Sequence, residues 1–412
     1  MTHHFKKYSL TTLLIFFSLA VLLFGSGYKL GQYQSTLSPQ GAPINSHNID
    51  FTLFWNAWDT IQKNYVDKKK VDPQKMYFGA IKGMVASIDD PYTFFMTPTE
   101  NKQSKDDLGG KFEGIGAQLG LQDNKVVIIA PLKNSPAEKA GIHAGDFIIA
   151  VNGESVKGMP LTQVVSKVRG DKGTTVALGL DRAGQELTIK VVRDTIHVDS
   201  VELTPDEHLS TCTAGCAQVA YLKVKQFGDT TVDEWEQQVA KVQQEWQQGK
   251  IKGLVLDLRG NPGGYLESSV YMAGDFLKQG DLVVKQESTT YENRDYTVTR
   301  TGKLLDIPLV VLIDRGSASA SEILSGALRD HKRAILVGEK SFGKGSVQEA
   351  MDLGNGAGLH VTVAKWILPS GEWINGKGIE PNIKVENKVA DGNTLSRATD
   401  AQLDAAIGQI LK

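Results

Sequence analysis

The sequence predicts an α/β chain of several domains behind an apolar N-terminal helix. Three observations predict it. Short apolar runs open at Gly253, Leu309 and Ala334, and the stretches beside them carry apolar residues at helical spacing, which is the pattern of buried strands alternating with helices. Residues 111–195 alternate in the β manner instead, with two short helical interruptions. Residues 8–28 contain no charged side chain, and at about 1.5 Å per residue such a helix spans one bilayer core of roughly 30 Å.

The 412 residues are enough for two or three domains. A content of 41% hydrophobic and 22% charged residues is that of an ordinary globular chain. The net charge of −2 gives no reason to expect nucleic acid as a partner. There is no repeat of the solenoid or propeller kind.

Residues 1–7 are short and basic. Lys6 and Lys7 before the apolar run, against Lys29 after it, favour an N-terminus on the cytoplasmic side. The expectation is a single-pass protein of a bacterial-type cell membrane, with the lipid bilayer gripping residues 8–28 and the rest extracytoplasmic. A cleaved signal peptide is the rival, but the small residues at 24–27 lack an Ala-x-Ala site. Residues 29–50 are polar and read as a flexible linker. Residues 51–108 form a small helical segment: Leu53, Phe54, Ala57, Trp58 and Ile61 make one stripe, and Met76, Ala80, Ile81, Met84 and Val85 a second. Asp89-Asp90-Pro91-Tyr92 is a stop-and-turn signal to which no chemistry is assigned.

Residues 109–196 hold the β-rich module, with strands expected at 114–119, 126–129, 147–151, 174–180 and 187–192 and helices at 135–140 and 161–167. Arg169 closes the second helical pattern as a surface charge or a relay to the following domain. The 2 cysteines, Cys212 and Cys216, lie in TCTAGC. In an exported chain they suit a disulfide across a short turn; free thiols are the alternative. A metal would need more ligands than the nearby His208. Residues 197–385 form the third unit, with a helix at 231–247 carrying Trp235, Val239, Val242 and Trp246. Residues 386–412 are a tail with a terminal helix.

The chemistry concentrates in residues 308–348. The small-residue run Ser317-Ala318-Ser319-Ala320-Ser321 sits between a strand and a helix, where amides and the helix dipole can hold an oxyanion. A serine nucleophile needs a base. Of the 8 histidines, only His331 and His360 lie near, in no recognisable triad context. The loop at 338–345 offers Lys340 and Lys344, and a Ser–Lys pair is a known variant of the triad. Such a lysine must lose roughly three pKa units by desolvation, about 4 kcal/mol. Gln348, four residues after Lys344, falls on its side in either regular period. The spacing Gly338 to Lys344 also matches a nucleotide loop, GxxxxGK. Gly345, however, stands where that loop needs Ser or Thr, and the following sequence reads as strands.

The runs GSASASEI, GALRDHKRA and GEKSFGKGSVQ together resemble the carboxy-terminal processing peptidases, the tail-specific serine proteases. The resemblance implies a crotonase-like α/β protease core with nucleophile Ser319, base Lys344 and supporting residue Gln348. It makes DLRGNPGG an oxyanion loop, in which the amide of Gly263 or Gly264 acts together with that of Ala320. SPAEKAGIHAGDFIIAVNG, residues 135–153, resembles a PDZ domain, and a peptide carboxylate would then be captured by Gly114, Ile115, Gly116, Ala117 and Gln118. SIDDPYTFF, residues 87–95, matches the family's N-terminal segment. Leu368 and Asn382 depart from its closing motifs, outside the catalytic set. What is implied is a serine endopeptidase that selects protein C-termini, with no metal or nucleotide cofactor. A second copy of the chain and an adaptor protein are further candidate partners. The rival from another class is a catalytically silent, membrane-tethered PDZ scaffold.

Overall fold

The computed structural model describes residues 49–122, 125–132, 134–204, 218–387 and 397–412. The expected anchor at 8–28, nearly all of the linker, and Cys212 and Cys216 lie outside the described residues. Among the described residues no helix is long and apolar enough to cross a membrane.

Two compact units divide the chain, Met1–Met76 and Tyr77–Lys412. In the first, helix α1 (Thr52–Asn64) follows the predicted stripe but buries none of its residues. Phe54, Trp55 and Trp58 pack edge to face along it. Helix α2 (Pro73–Ala86) starts at a proline, whose missing N–H costs nothing in a first turn.

The second unit continues with a short strand, β1 (Phe94–Met96), and helix α3 (Pro98–Leu108). Thr97 and Glu100 close a capping box at the start of α3. The segment expected to be helical thus also contributes a strand. The β-rich module follows: β2 (Lys111–Gly114), β3 (Ala117–Gln122), β4 (Lys125–Pro131), α4 (Pro136–Lys139), β5 (Phe147–Val151), β6 (Glu154–Ser155), α5 (Leu161–Val168), β7 (Thr175–Arg182), β8 (Gln185–Val192) and β9 (Asp194–His197). An antiparallel sheet of order β3-β4-β5-β7-β8 carries β6 on β5, while β2 pairs with β9. Its core is Ile128, Ala137, Val164, Val176, Leu178 and Leu180, all fully buried.

A six-stranded sheet is built from β10 (Val201–Thr204), β11 (Val219–Val224), β12 (Gly253–Asp257), β15 (Leu309–Ile313), β16 (Ile335–Gly338) and β19 (Ile383–Lys384), in that spatial order. All its pairs are parallel except β10 with β11. Helices α6 (Thr231–Gln247), α7 (Leu266–Ala273) and α8 (Ala320–Asp330) cover one face, and α9 (Ala401–Ile410) covers the other. Both faces are dry, so β12 and β15 are apolar along nearly their whole length. Leu309, Val311 and Ile313 point to the α8 side, and Val310 and Leu312 to the α9 side. Each such side chain contributes about 1.5–3 kcal/mol by leaving water.

A second, antiparallel sheet stands beside it. Its order is β1-β18-β13-β14, from β18 (Gly358–Ile367), β13 (Leu282–Glu287) and β14 (Arg294–Thr297), and β17 (Ser346–Asp352) pairs with β18 as a hairpin. That hairpin leaves no helix after Lys344, so the nucleotide-loop reading falls. β1 pairs with β18 through Phe94 and His360.

Candidate active site

Adjacent parallel strands β12, β15 and β16 each end in a loop at their carboxyl ends, and these loops converge, the usual site-forming arrangement of open α/β sheets. The β12 loop carries Asn261 to Gly264, the β15 loop carries Ser317 to Ser319, and the β16 loop carries Lys344.

The structure separates the three serines that composition leaves equivalent. Ser317 Oγ donates to the Leu258 carbonyl (2.8 Å) and Ser321 Oγ to the Asn261 carbonyl (2.9 Å), both fully buried. Ser319 lines a cavity of about 1110 Å³. It caps α8 at φ 56° and ψ −116°, a region that costs a non-glycine residue about 1–3 kcal/mol and persists only where neighbours enforce it. Those neighbours are visible. The Ala318 N–H donates to the Asn261 carbonyl (3.0 Å) and the Ser319 N–H to Glu322 Oε2 (2.9 Å).

The two lysines separate likewise. Lys340 is half exposed and pairs with Glu380 in solvent at 3.1 Å. Lys344 is partly buried and lines the cavity with Ser319. Burial pulls its ammonium below the usual lysine range, while Asp90 and Glu322 pull the other way. Its Nζ stands 5.2 Å from the centre of the Tyr92 ring. Among the described residues no hydrogen bond joins Ser319 Oγ to Lys344 Nζ.

Glu322 is the residue sequence reasoning missed. It is fully buried, and its carboxylate accepts four hydrogen bonds. Oε1 takes Ser341 Oγ (2.6 Å) and the Gly343 N–H (2.7 Å). Oε2 takes the N–H of Ser319 (2.9 Å) and of Lys344 (2.9 Å). One carboxylate therefore fixes both loops. Its signal was present, an acid three residues after a serine at a helix start.

Gln348 lines the same cavity, but its Nε2 donates to Ser346 Oγ (2.8 Å) and Thr362 Oγ1 (3.1 Å), not to a group of Lys344. Lys344 precedes β17 and a bulge interrupts the strand between Val347 and Gln348, so both residues line the cavity but no hydrogen bond joins their side chains among the described residues. His360 also reaches the cavity, stacked on Phe94 at 4.7 Å; burial and then the Lys344 charge lower its proton affinity. His331 bonds the Leu282 carbonyl at 2.7 Å, outside the cavity lining.

Gly263 and Gly264 adopt φ 100° and 134°. A Cβ on Gly263 would fall 2.7 Å from Ser319 Cβ, and one on Gly264 only 2.0 Å from the Phe227 carbonyl oxygen. The Gly263 N–H is already donated to Asn261 Oδ1 (2.8 Å). The amides of Gly264 and Ala320 have no acceptor among the described residues. Behind the loop, Arg259 is buried and bridges Asp257 (2.7 Å) to Asp400 at the start of α9 (2.7 Å).

In the β-rich module, Ile115 is buried and its carbonyl accepts the Ala137 N–H (2.8 Å). Gly116, at φ 72°, leaves no room for a Cβ, which would meet Ser135 Cβ at 2.5 Å. Ala117 and Gln118 open β3, the edge strand of its sheet among the described residues. Arg169 bonds Asp107 of α3 at 3.0 Å and lies 4.7 Å over the Phe112 ring. Asp107 in turn lines the cavity, and its carbonyl accepts Gln226 Nε2 (2.7 Å).

Residues 218–385 match the family described as peptidase family S41, residues 100–181 match the PDZ domain, and residues 26–99 match the activating protease CtpB N-terminal domain. The carboxy-terminal processing protease CtpB of Bacillus subtilis is 39% identical over 335 residues, 80% of this chain and 66% of that one. CtpA of the same organism is 36% identical over 380 residues, covering 92% of this chain and 76% of the relative. The solved photosystem II D1 C-terminal processing protease is similar over 81% of this chain and 92% of its own, at 31% identity and a TM-score of 0.50.

Proposed function

The chain belongs to peptidase family S41, among the carboxy-terminal processing proteases, and we propose that it is a serine endopeptidase working through Ser319 and Lys344. One observation carries the reading: a strained serine at a helix start and a partly buried lysine share one cavity, with both backbones tied to the same carboxylate.

Lys344 as free amine takes the Ser319 hydroxyl proton, and Oγ attacks the scissile carbonyl carbon. The oxyanion accepts the amides of Gly264 and Ala320 at the α8 N-terminus. As the C–N bond breaks, the Lys344 ammonium protonates the leaving amine. Water then gives a proton to Lys344 and attacks the ester carbon; the C–Oγ bond breaks, and the Lys344 ammonium returns the proton to Ser319 Oγ. Gln348 is assigned the support of Lys344 once the loop closes on substrate. The PDZ domain, with β3 as an edge strand, selects protein C-termini of apolar character. Arg169, through Asp107, relays peptide occupancy to the cavity. Unchanged basal and peptide-stimulated cleavage in Arg169→Ala would remove that relay. The uncharged run at 8–28 supports a membrane anchor with the protease on the extracytoplasmic side.

The test is digestion of casein and of a C-terminally tailed peptide by the full chain in detergent, beside Ser319→Ala. Cleavage only by the parent is expected. Equal inertness of the two proteins refutes the reading and favours a scaffold.

A further inference from the structure

The turn at Asp89 to Tyr92 looks purely structural in sequence, yet it lies against the base of the proposed reaction. The Tyr92 ring faces Lys344 Nζ at 5.2 Å. Asp90 is held still beside it. Its Oδ1 accepts the Tyr92 N–H (3.1 Å) and its Oδ2 accepts Thr93 Oγ1 (2.7 Å). Thr93 Oγ1 in turn accepts the Thr362 N–H of β18 (3.0 Å), and the following residues pair with β18 from Phe94 onward. The turn is therefore bolted to the strand that carries His360 and Thr362.

We propose that Asp90 and Tyr92 are positioning residues for Lys344, holding its ammonium form by charge and by ring face, and so set the pH at which cleavage begins. The inference rests on Lys344 being the base. Among the other charged groups around Lys344, Glu322 also favours the ammonium, but its removal would dismantle the loops that carry the site. Glu322 spends both oxygens on four donors and builds the loops themselves. Burial and then the Lys344 charge lower the proton affinity of His360, and a neutral ring brings no negative charge to hold the ammonium. Lys82 and Glu100, elsewhere in the cavity wall, pair with each other at 2.6 Å. Asp90 forms no ion pair of its own among the described residues. Burial pushes its carboxyl up, but bonds from Thr362, Thr93 and the Tyr92 amide hold it below the usual range, so it is ionised at neutral pH. A cation over an aromatic face gains further, most where water is scarce.

The sign follows. Removing the Asp90 charge weakens the ammonium, so the free amine persists to lower pH and the acid limb of the kcat/KM profile moves down.

The experiment is that profile for the full chain in detergent on a tailed peptide. The variants are Asp90→Asn, Tyr92→Leu and Tyr92→Phe, with Ser319→Ala and Lys344→Ala as controls. For Asp90→Asn the acid limb is expected to fall by about one pH unit, roughly tenfold more relative activity on that limb. Tyr92→Leu moves it the same way, and Tyr92→Phe, which keeps the ring, does not. A limb unmoved in both Asp90→Asn and Tyr92→Leu, with activity merely scaled down, overturns the proposal and leaves the turn structural. Should Asp90→Asn not fold, Tyr92→Leu decides alone. Full cleavage by Lys344→Ala refutes the base itself, a failure distinct from an unmoved limb.

Discussion

Glu322→Gln isolates the contact that joins the two halves of the site. The carboxylate accepts four donors, two on each oxygen. An amide keeps one oxygen and turns an NH2 toward the other pair of donors, so two hydrogen bonds disappear and two buried donors are left unpaired. Bonds to a charged acceptor contribute about 1.5–3 kcal/mol each, and an unpaired buried donor costs about 1–3 kcal/mol. Part of this is recovered by relaxation, so the expected loss of stability is about 3–5 kcal/mol. If the NH2 faces Ser319 and Lys344, the backbones of both proposed reacting residues drift, and a shift near 1 Å costs about a hundredfold in rate. Urea unfolding followed by tryptophan fluorescence, and cleavage of a tailed peptide, measure the two effects. A variant within about 1 kcal/mol of the parent that still cleaves within threefold would refute the reasoning, because the loops would then hold themselves without this carboxylate.

Lys340→Ala should change stability and cleavage little, since its exposed pair with Glu380 falls in the class that contributes about 0–1 kcal/mol; Lys344→Arg should fold and be inactive, because a guanidinium keeps its proton. Comparing kcat of the two on one peptide checks both. Gly264→Ala should cost several kcal/mol and abolish cleavage, its Cβ falling 2.0 Å from the Phe227 carbonyl oxygen at φ 134°; a parent-like melting temperature would contradict the close approach. Arg259→Met leaves Asp257 and Asp400 buried without their cation, and a loss of about 3–5 kcal/mol is expected in urea unfolding. Restoration by a second change, Asp400→Asn, would support the charge account, and an unaffected single variant would reject it.

The sequence by itself determined which stretches are strands and helices in the protease core, because burial on two faces writes continuous apolar runs and amphipathic helices repeat every few residues. Helix α6 has the predicted bounds, and β12, β15 and β16 lie where the runs were read. Turn chemistry likewise marked the glycines of the β12 loop, whose positive φ values no other residue takes cheaply. Those features are local, settled within a few residues. The proposal of Ser319 over Ser317 and Ser321, and of Lys344 over Lys340, came in sequence only through likeness to a family. In space the candidates differ in which side chains are spent on carbonyls or solvent partners and which line the cavity. The reach of Glu322 across to the Lys344 loop, the bonding of Gln348 to Thr362 behind a β-bulge, and the Tyr92 ring beside Lys344 had no such route. They depend on the order in which strands lie side by side, and that order brings together loops far apart along the chain, where no periodicity or spacing can register their meeting.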